Sequence, residues 1–450
     1  MQRMENNKLG TWTVRKLLVN MSLPMMISFF IQALYNIVDS MFVAQISENA
    51  LTAVSLAFPM QQVANAIAVG IGIGMSALIP RFMGENDAKK ANQVAHVGIF
   101  LNASFAVLFI LLGLFCSHSI YVIQTNVKEI VDYGTIYLRI SWGVCIGVFF
   151  DQYFEKMLVC SGNSLLAMGT QASGAIFNII FDPLLIFGIG PFPKMGIAGA
   201  ALATVMGQIF AACIGFLLNM TKNPWIHFHL KEICFRKDIA KQIFSVGIPS
   251  MVTIGLSSAT SFCVNMIIIG YSTTATAVYG IWLKLQNFCF MPIFGLNNGM
   301  VPILSYNFAQ KKWKRVKDTA NLAFCFSVGL MIVVGIFLEL YPNFFLQMFN
   351  ASDMMLAIGI PALRICVVSL PFAAISLIRT TSMQALTYAR YTLIVNILRQ
   401  FVIIIPAFYI LSLVFGQVGY LWFALPITEI TCAIISTFFY HRMSKEIYAI

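Results

Sequence analysis

The chain reads as long apolar runs separated by short polar connections. Twelve such runs are read, over residues 17–46, 51–83, 92–117, 130–161, 164–189, 196–220, 241–271, 276–308, 317–342, 354–385, 391–413 and 417–440. Each is long enough to cross a ~30 Å hydrocarbon core as a helix rising ~1.5 Å per residue. Within lipid the backbone must satisfy its own hydrogen bonds, so runs of this kind predict an all-α polytopic membrane protein. The first run begins after sixteen polar residues and is too long for a signal-peptide core, so it is expected to be retained.

Inside the runs the polar residues are patterned. In the first, Gln32, Tyr35, Asn36 and Asp39 fall at i, i+3, i+4 and i+7, one face of a helix. A carboxylate near mid-membrane costs ~2.5–3.5 kcal/mol on insertion scales, so Asp39 requires a partner, a proton or a cation. In the fifth run Asp182 follows Asn178 by four residues. Asp182 and Asp39 each lie seven residues before the outer end of their runs, and Thr204 lies at a similar depth in the sixth. Tyr35, Asp39, Asn178, Asp182 and Thr204 can therefore converge. Their hard oxygen ligands suit Na⁺, with Asp39, Asn178, Asp182 and Thr204 as the possible set, and a carboxylate pair in a poorly polar medium equally suits a shared proton. A static hydrogen-bond network between helices is the competing account. Pro183 removes a backbone hydrogen bond beside this cluster and predicts a kink there.

Asp151 and Glu155 stand at i and i+4 in the fourth run, with Lys156 adjacent. With Gln32 and Asn36 they are the candidate substrate contacts. Glu155 is placed to meet a cation arriving from the cytoplasm, unless it merely pairs with Lys156 or snorkels. The second half carries Lys284, Arg364, Arg379 and Arg399 within its runs and Glu429 as its buried acid; a structural role for Arg399, bridging to Glu429 or to backbone carbonyls, is expected over a substrate role.

Composition fits this reading: 450 residues, 59% hydrophobic and 10% charged, with a mean hydropathy of +0.83. The net charge of +11 is distributed by side. The N-terminus, the even-numbered connections and the C-terminus hold twenty bases, whereas the odd-numbered connections hold Lys128 and Lys194. The positive-inside rule then puts both termini of this multi-pass membrane protein in the cytoplasm. The bases are topology signals and contacts for membrane lipid headgroups, and no nucleic-acid partner is expected, 311–317 included. The ten cysteines occur singly, without metal-ligand spacing, and read as packing residues. His227 and His229 share a short basic loop that does not suggest a metal site. No cofactor is expected, nor an enzyme, because no nucleophile–base pair, metal triad or phosphate loop lies at usable spacing.

The chain also repeats itself. Ser22-Leu23-Pro24 matches Gly247-Ile248-Pro249 at an offset of 225, as Gly74-Met75 matches Gly299-Met300 and Lys89-Lys90 matches Lys314-Arg315. Asn178-Ile179-Ile180 recurs as Asn396-Ile397-Leu398. Six runs per half make parallel repeats about an axis along the membrane normal, a transporter arrangement. The expected organisation is a cytoplasmic segment 1–16, a first lobe 17–220, a cytoplasmic linker 221–240, a second lobe 241–440 and a cytoplasmic tail 441–450.

LPMMISFFIQALYNIVDSMFVAQI, GIGIGMSALIPRFMGENDAKKA, NIIFDPLLIFGIG with IAGAALAT, and VYGIWLKLQ, PILSYNFAQ and MQALTYAR resemble the multidrug and toxic compound extrusion (MATE) transporters, most closely their DinF-like branch. The resemblance spans nearly the whole chain. It implies two six-helix lobes in a V and export of amphipathic organic cations against inward H⁺ or Na⁺. It also implies that Tyr35, Asp39, Asn178, Asp182 and Thr204 match the branch's first-lobe cation or proton site, and that Glu155 falls where some relatives carry an acid. One departure is Val159-Cys160-Ser161-Gly162, where members often have Arg-Ala-x-Gly. A flippase for a lipid-linked saccharide, within the same superfamily, is the alternative; a monomer is expected in either case.

Overall fold

A computed structural model describes residues 7–223, 235–349 and 351–448. The linker expected over 221–240, with His227 and His229, lies largely outside the described residues. The described chain folds as twelve membrane-spanning helical segments. The first lobe comprises span 1 (Val14–Ala44), span 2 (Glu48–Gly84), span 3 (Ala88–Gln124), span 4 (Lys128–Gly143 and Ile146–Cys160), span 5 (Ser164–Phe187) and span 6 (Ile197–Lys222). The second comprises span 7 (Lys237–Ile269), span 8 (Thr273–Ala309), span 9 (Trp313–Leu340), span 10 (Asp353–Val367 and Ser369–Ala385), span 11 (Ala389–Phe415) and span 12 (Val418–Ile447). A short helix, Lys8–Thr11, precedes them.

Short-range chemistry explains where the spans begin and stop. Ser47 and Ser272, 225 residues apart, both cap their helices, accepting from the amides of Ala50 and Ala275. Asp87 accepts from the Lys90 amide at 2.9 Å at the start of span 3. That hydrogen bond, together with the Lys90 ammonium 3.0 Å away, holds the Asp87 carboxyl below its ordinary range. Gly188 and Gly416, at φ 74° and 60°, close spans 5 and 11 in the left-handed conformation that costs glycine little.

The breaks do not fall where the prolines alone suggest. Span 5 runs as one helix through Pro183 to Phe187, so the proline removes a donor without ending the span. Breaks with bends of 44° and 41° fall in span 4, between Gly143 and Ile146, and in span 10, around Val368. Pro371 sits in the first turn of the second piece of span 10, where its missing amide is tolerated. Span 11 contains a π-helical stretch, Leu398–Ile403; the Thr260 hydroxyl donates to the Gln400 carbonyl there at 2.7 Å.

The two lobes meet where the repeat is strongest. Span 1 packs on span 8, and span 2 on span 7. A Cβ on Gly247 would collide with the Gly70 carbonyl, and one on Gly299 would come 2.5 Å from Ser22 Oγ. These contacts, with the Ser22 hydroxyl donating to the Leu296 carbonyl at 3.5 Å, lie in the half of the molecule that carries the basic connections. Toward the other half the aromatic pairs Phe29–Phe294 (6.1 Å) and Phe30–Phe288 (5.6 Å) link spans 1 and 8 near mid-span.

Candidate functional site

Close packing of spans 1, 5 and 6 builds the first cluster. Asp39 and Asp182 each lie five residues before the last residue of their helices, and both are buried. Their carboxylates lie within electrostatic reach of one another, and ionising both members of such a buried pair is unfavourable. Asp39 Oδ1 and Asp182 Oδ2 are buried and receive no N–H or O–H donor. The Asn178 amide donates to Asp182 Oδ1 at 3.2 Å and to Thr204 Oγ1 at 3.3 Å, and its own oxygen is left without a donor. The arrangement is thus rich in acceptors and poor in donors, the donor set a proton or a small hard cation requires.

Tyr35 lies within electrostatic reach of Asp39, Asp182 and Asp151. Of the remaining span 1 stripe, Gln32 is half-buried and Asn36 is exposed, so the face runs from the cluster outward. The residues 35, 39, 178, 182 and 204 are brought together; Gln32 and Asn36 are not bonded into that network. Tyr137 of span 4 and Gln61 of span 2 were not legible from spacing. Tyr137 is buried beside Gln61 and within electrostatic reach of Asp39 and Asp182. The only signal was a phenol inside an apolar run, which has no periodic partner.

A second cluster lies nearer the basic end. Glu155 and Lys156 are both buried and paired at 3.0 Å, so the lysine does not snorkel. Asp151 is on the same helix face, its Oδ1 buried without a donor.

In the second lobe each internal base is engaged. Arg399 contacts Glu429 at 2.6 Å and 2.8 Å through two nitrogens, the bridge expected from sequence. Arg379 lies over the rings of Phe324 and Tyr440, at 4.6 Å and 4.1 Å, and Arg364 pairs with Glu339 at 3.5 Å. Lys284 lies 5.8 Å from the centre of the Phe349 ring. The cysteines among the described residues are all free, and no group of histidine, cysteine and acidic residues there is arranged to hold a metal ion.

A helical membrane protein made of two repeated six-helix lobes, with a carboxylate pair buried in the first, has the architecture of a secondary transporter. The MatE family model matches the chain twice, over residues 24–184 and 249–410, one match per lobe. The chain belongs to the MatE family. It is 27% identical over 441 residues to the multidrug export protein MepA of Staphylococcus haemolyticus, covering 97% of this chain and 95% of that one. To MepA of Staphylococcus aureus strain MRSA252 it is 28% identical over 423 residues, covering 94% and 92%. Among solved structures it superimposes on an outward-facing multidrug resistance MATE transporter of the MOP superfamily with a TM-score of 0.92, at 23% identity and 99% coverage of both chains. A MOP superfamily transporter from Pyrococcus furiosus, described as having a binding pocket of reversed polarity, gives 0.90 at 23% identity, covering 98% of each chain.

Proposed function

We propose that this protein is a multidrug efflux antiporter, exporting amphipathic organic cations in exchange for inward H⁺ or Na⁺. The observation that carries this reading is the Asp39–Asp182 pair, buried, donor-poor and close enough to interact electrostatically, an arrangement that favours uptake of a proton or cation. Asn178 and Thr204 complete the set for the coupling ion, and Tyr35 lies beside it. Gln32, Asn36, Asp151 and Glu155 are the substrate contacts in this reading.

The physical basis of exchange is charge. Double ionisation of two adjacent carboxylates in a poorly polar medium is unfavourable, so an incoming H⁺ or Na⁺ relieves repulsion there. A positive substrate and the coupling cation therefore weaken one another's binding, and linkage makes that weakening reciprocal. The names of the staphylococcal relatives, multidrug export proteins, support the same reading. So does the second lobe, whose bases are engaged by Glu429, Glu339 and aromatic rings instead of standing free for a phosphorylated lipid.

By the positive-inside rule the basic end is cytoplasmic, with both termini. The lobes' close contacts at Gly70–Gly247 and Ser22–Gly299 then lie in the inner half. Phenylalanines on spans 1 and 8 meet between the lobes near mid-span, where attraction of a cation to each ring contributes ~0.5–2 kcal/mol. Such contacts favour breadth of substrate over tightness. Reconstituted into liposomes, the protein is expected to drive uphill movement of a cationic dye under an imposed pH or Na⁺ gradient. Absence of transport for a broad cation panel under either gradient sinks the reading.

A further inference from the structure

Lys156 does more than pair with its neighbour. Its ammonium contacts Glu155 Oε1 at 3.0 Å and donates to Asn298 Oδ1 of span 8 at 2.9 Å, a hydrogen bond that crosses from one lobe to the other. Asn298 is oriented for this by its own amide, which donates to the Phe294 carbonyl at 3.0 Å. On the first-lobe side, Gln171 of span 5 donates to the second oxygen of Glu155 at 2.6 Å and holds the carboxylate in place. Gly72 of span 2 makes room for the lysine stem, since a Cβ there would come 2.8 Å from Lys156 Cγ. Glu155 and Lys156 are 3% and 4% exposed, so neither charge is maintained by water. Asp151 adds one more acid within electrostatic reach of both.

A buried carboxylate stripped of its partner costs several kcal/mol, ~3–5 when one member of a pair is removed. Glu155 therefore needs a cation in every conformation the protein visits. When the lobes separate at the basic end, Asn298 leaves with span 8 and Lys156 loses one of the two acceptors that hold it. An organic cation arriving from that side then meets a carboxylate whose resident counterion is half released.

We infer that Lys156 is a tethered counterion of Glu155: the exported cation takes its place on the carboxylate when the lobes part at the basic end, and its return, locked by Asn298, expels that cation toward the other side. The inference rests on the efflux reading and adds a releasing group to it.

The test measures binding of tetraphenylphosphonium to the purified full-length protein in lipid nanodiscs. Removing the competing ammonium in Lys156→Gln is expected to tighten binding at least tenfold, and adding Glu155→Gln to abolish that gain. Unchanged or weaker binding by a Lys156→Gln protein that still melts cooperatively overturns the inference. If the wild type nevertheless exports the probe, the efflux reading survives; a wild type that neither binds nor exports any cation of the panel overturns both. A second measurement needs no substitution. Reductive methylation of the wild type, read by mass spectrometry, is expected to modify Lys156 several-fold faster at saturating tetraphenylphosphonium than without it. Equal rates overturn the inference even if every Lys156 variant fails to fold.

Discussion

At Asp39 and Asp182 the side-chain chemistry sets the expected behaviour. Each carboxylate is buried beside the other, so replacing either by an amide removes the charge that makes the pair sensitive to a proton or Na⁺. Asp39→Asn and Asp182→Asn are each expected to abolish gradient-driven export in liposomes while leaving passive drug binding within a few-fold. Full uphill export by the doubly substituted protein would leave both residues as structural. Glu155→Gln is expected to act differently, because Glu155 belongs to the cluster nearer the basic end. It should change the order of preference among cationic drugs, read as altered resistance profiles of an expressing strain, more than it changes coupling. A uniform loss across all drugs counts against a selective role.

Elements that repeat at an offset of 225 residues do not repeat with equal ease. The turn after span 4 uses Gly162 at φ 83°, whereas the corresponding turn after span 10 uses Thr387 at φ 68°. A β-branched residue in the left-handed region is a conformational outlier, at a cost of ~1–3 kcal/mol. Thr387→Gly removes that strain but adds unfolded-state entropy of ~0.5–1 kcal/mol. The balance is a stabilisation of ~1 kcal/mol, seen as a higher melting temperature; a lower one would show that the threonine side chain holds the turn. The interface between spans 2 and 7 is expected to be less forgiving. Gly247→Val drives a side chain into the Gly70 backbone, and overpacking of this kind costs ~1–3 kcal/mol. The loss should fall on the conformation with closely packed lobes. A cysteine placed at Ser22, buried where spans 1 and 8 pack, is then expected to react faster with a thiol reagent in the Gly247→Val protein than with glycine at 247.

For the whole molecule the asymmetry of bases makes orientation the testable property. Connections at 311–317 are expected inside, and 47–50 with Gln417 outside. A single cysteine at Lys314 should resist a membrane-impermeant reagent added to intact cells, and one at Ser47 should react. Labelling at Lys314 from outside reverses the assignment, and with it the side on which the lobes pack closely. Orientation is a property of the chain in a bilayer; the packing of its helices is the same whichever way it is inserted.

The division between what could be read and what had to be folded follows from range. Twelve spans and their repeat were legible because length and apolarity along a helix are local, and lipid leaves the backbone few alternatives. Matching depths for Asp39, Asp182 and Thr204 followed from a constant rise per residue, as did the shared face of Asn178 and Asp182. The Arg399–Glu429 bridge was also legible, since a buried arginine and the lobe's one buried acid have few other partners. Tertiary structure alone decided the rest. Span 5 continues through Pro183, while spans 4 and 10 bend elsewhere, because neighbouring helices determine where a broken ladder is tolerated. Tyr137 reaches the carboxylate pair from a third helix, and Asn298 reaches Lys156 from the other lobe. Helical periodicity orders residues along one segment only. Which segments touch, and so which buried charge meets which partner, depends on close approach between backbones, as at Gly70 and Gly247, whose consequences for distant side chains no local pattern contains.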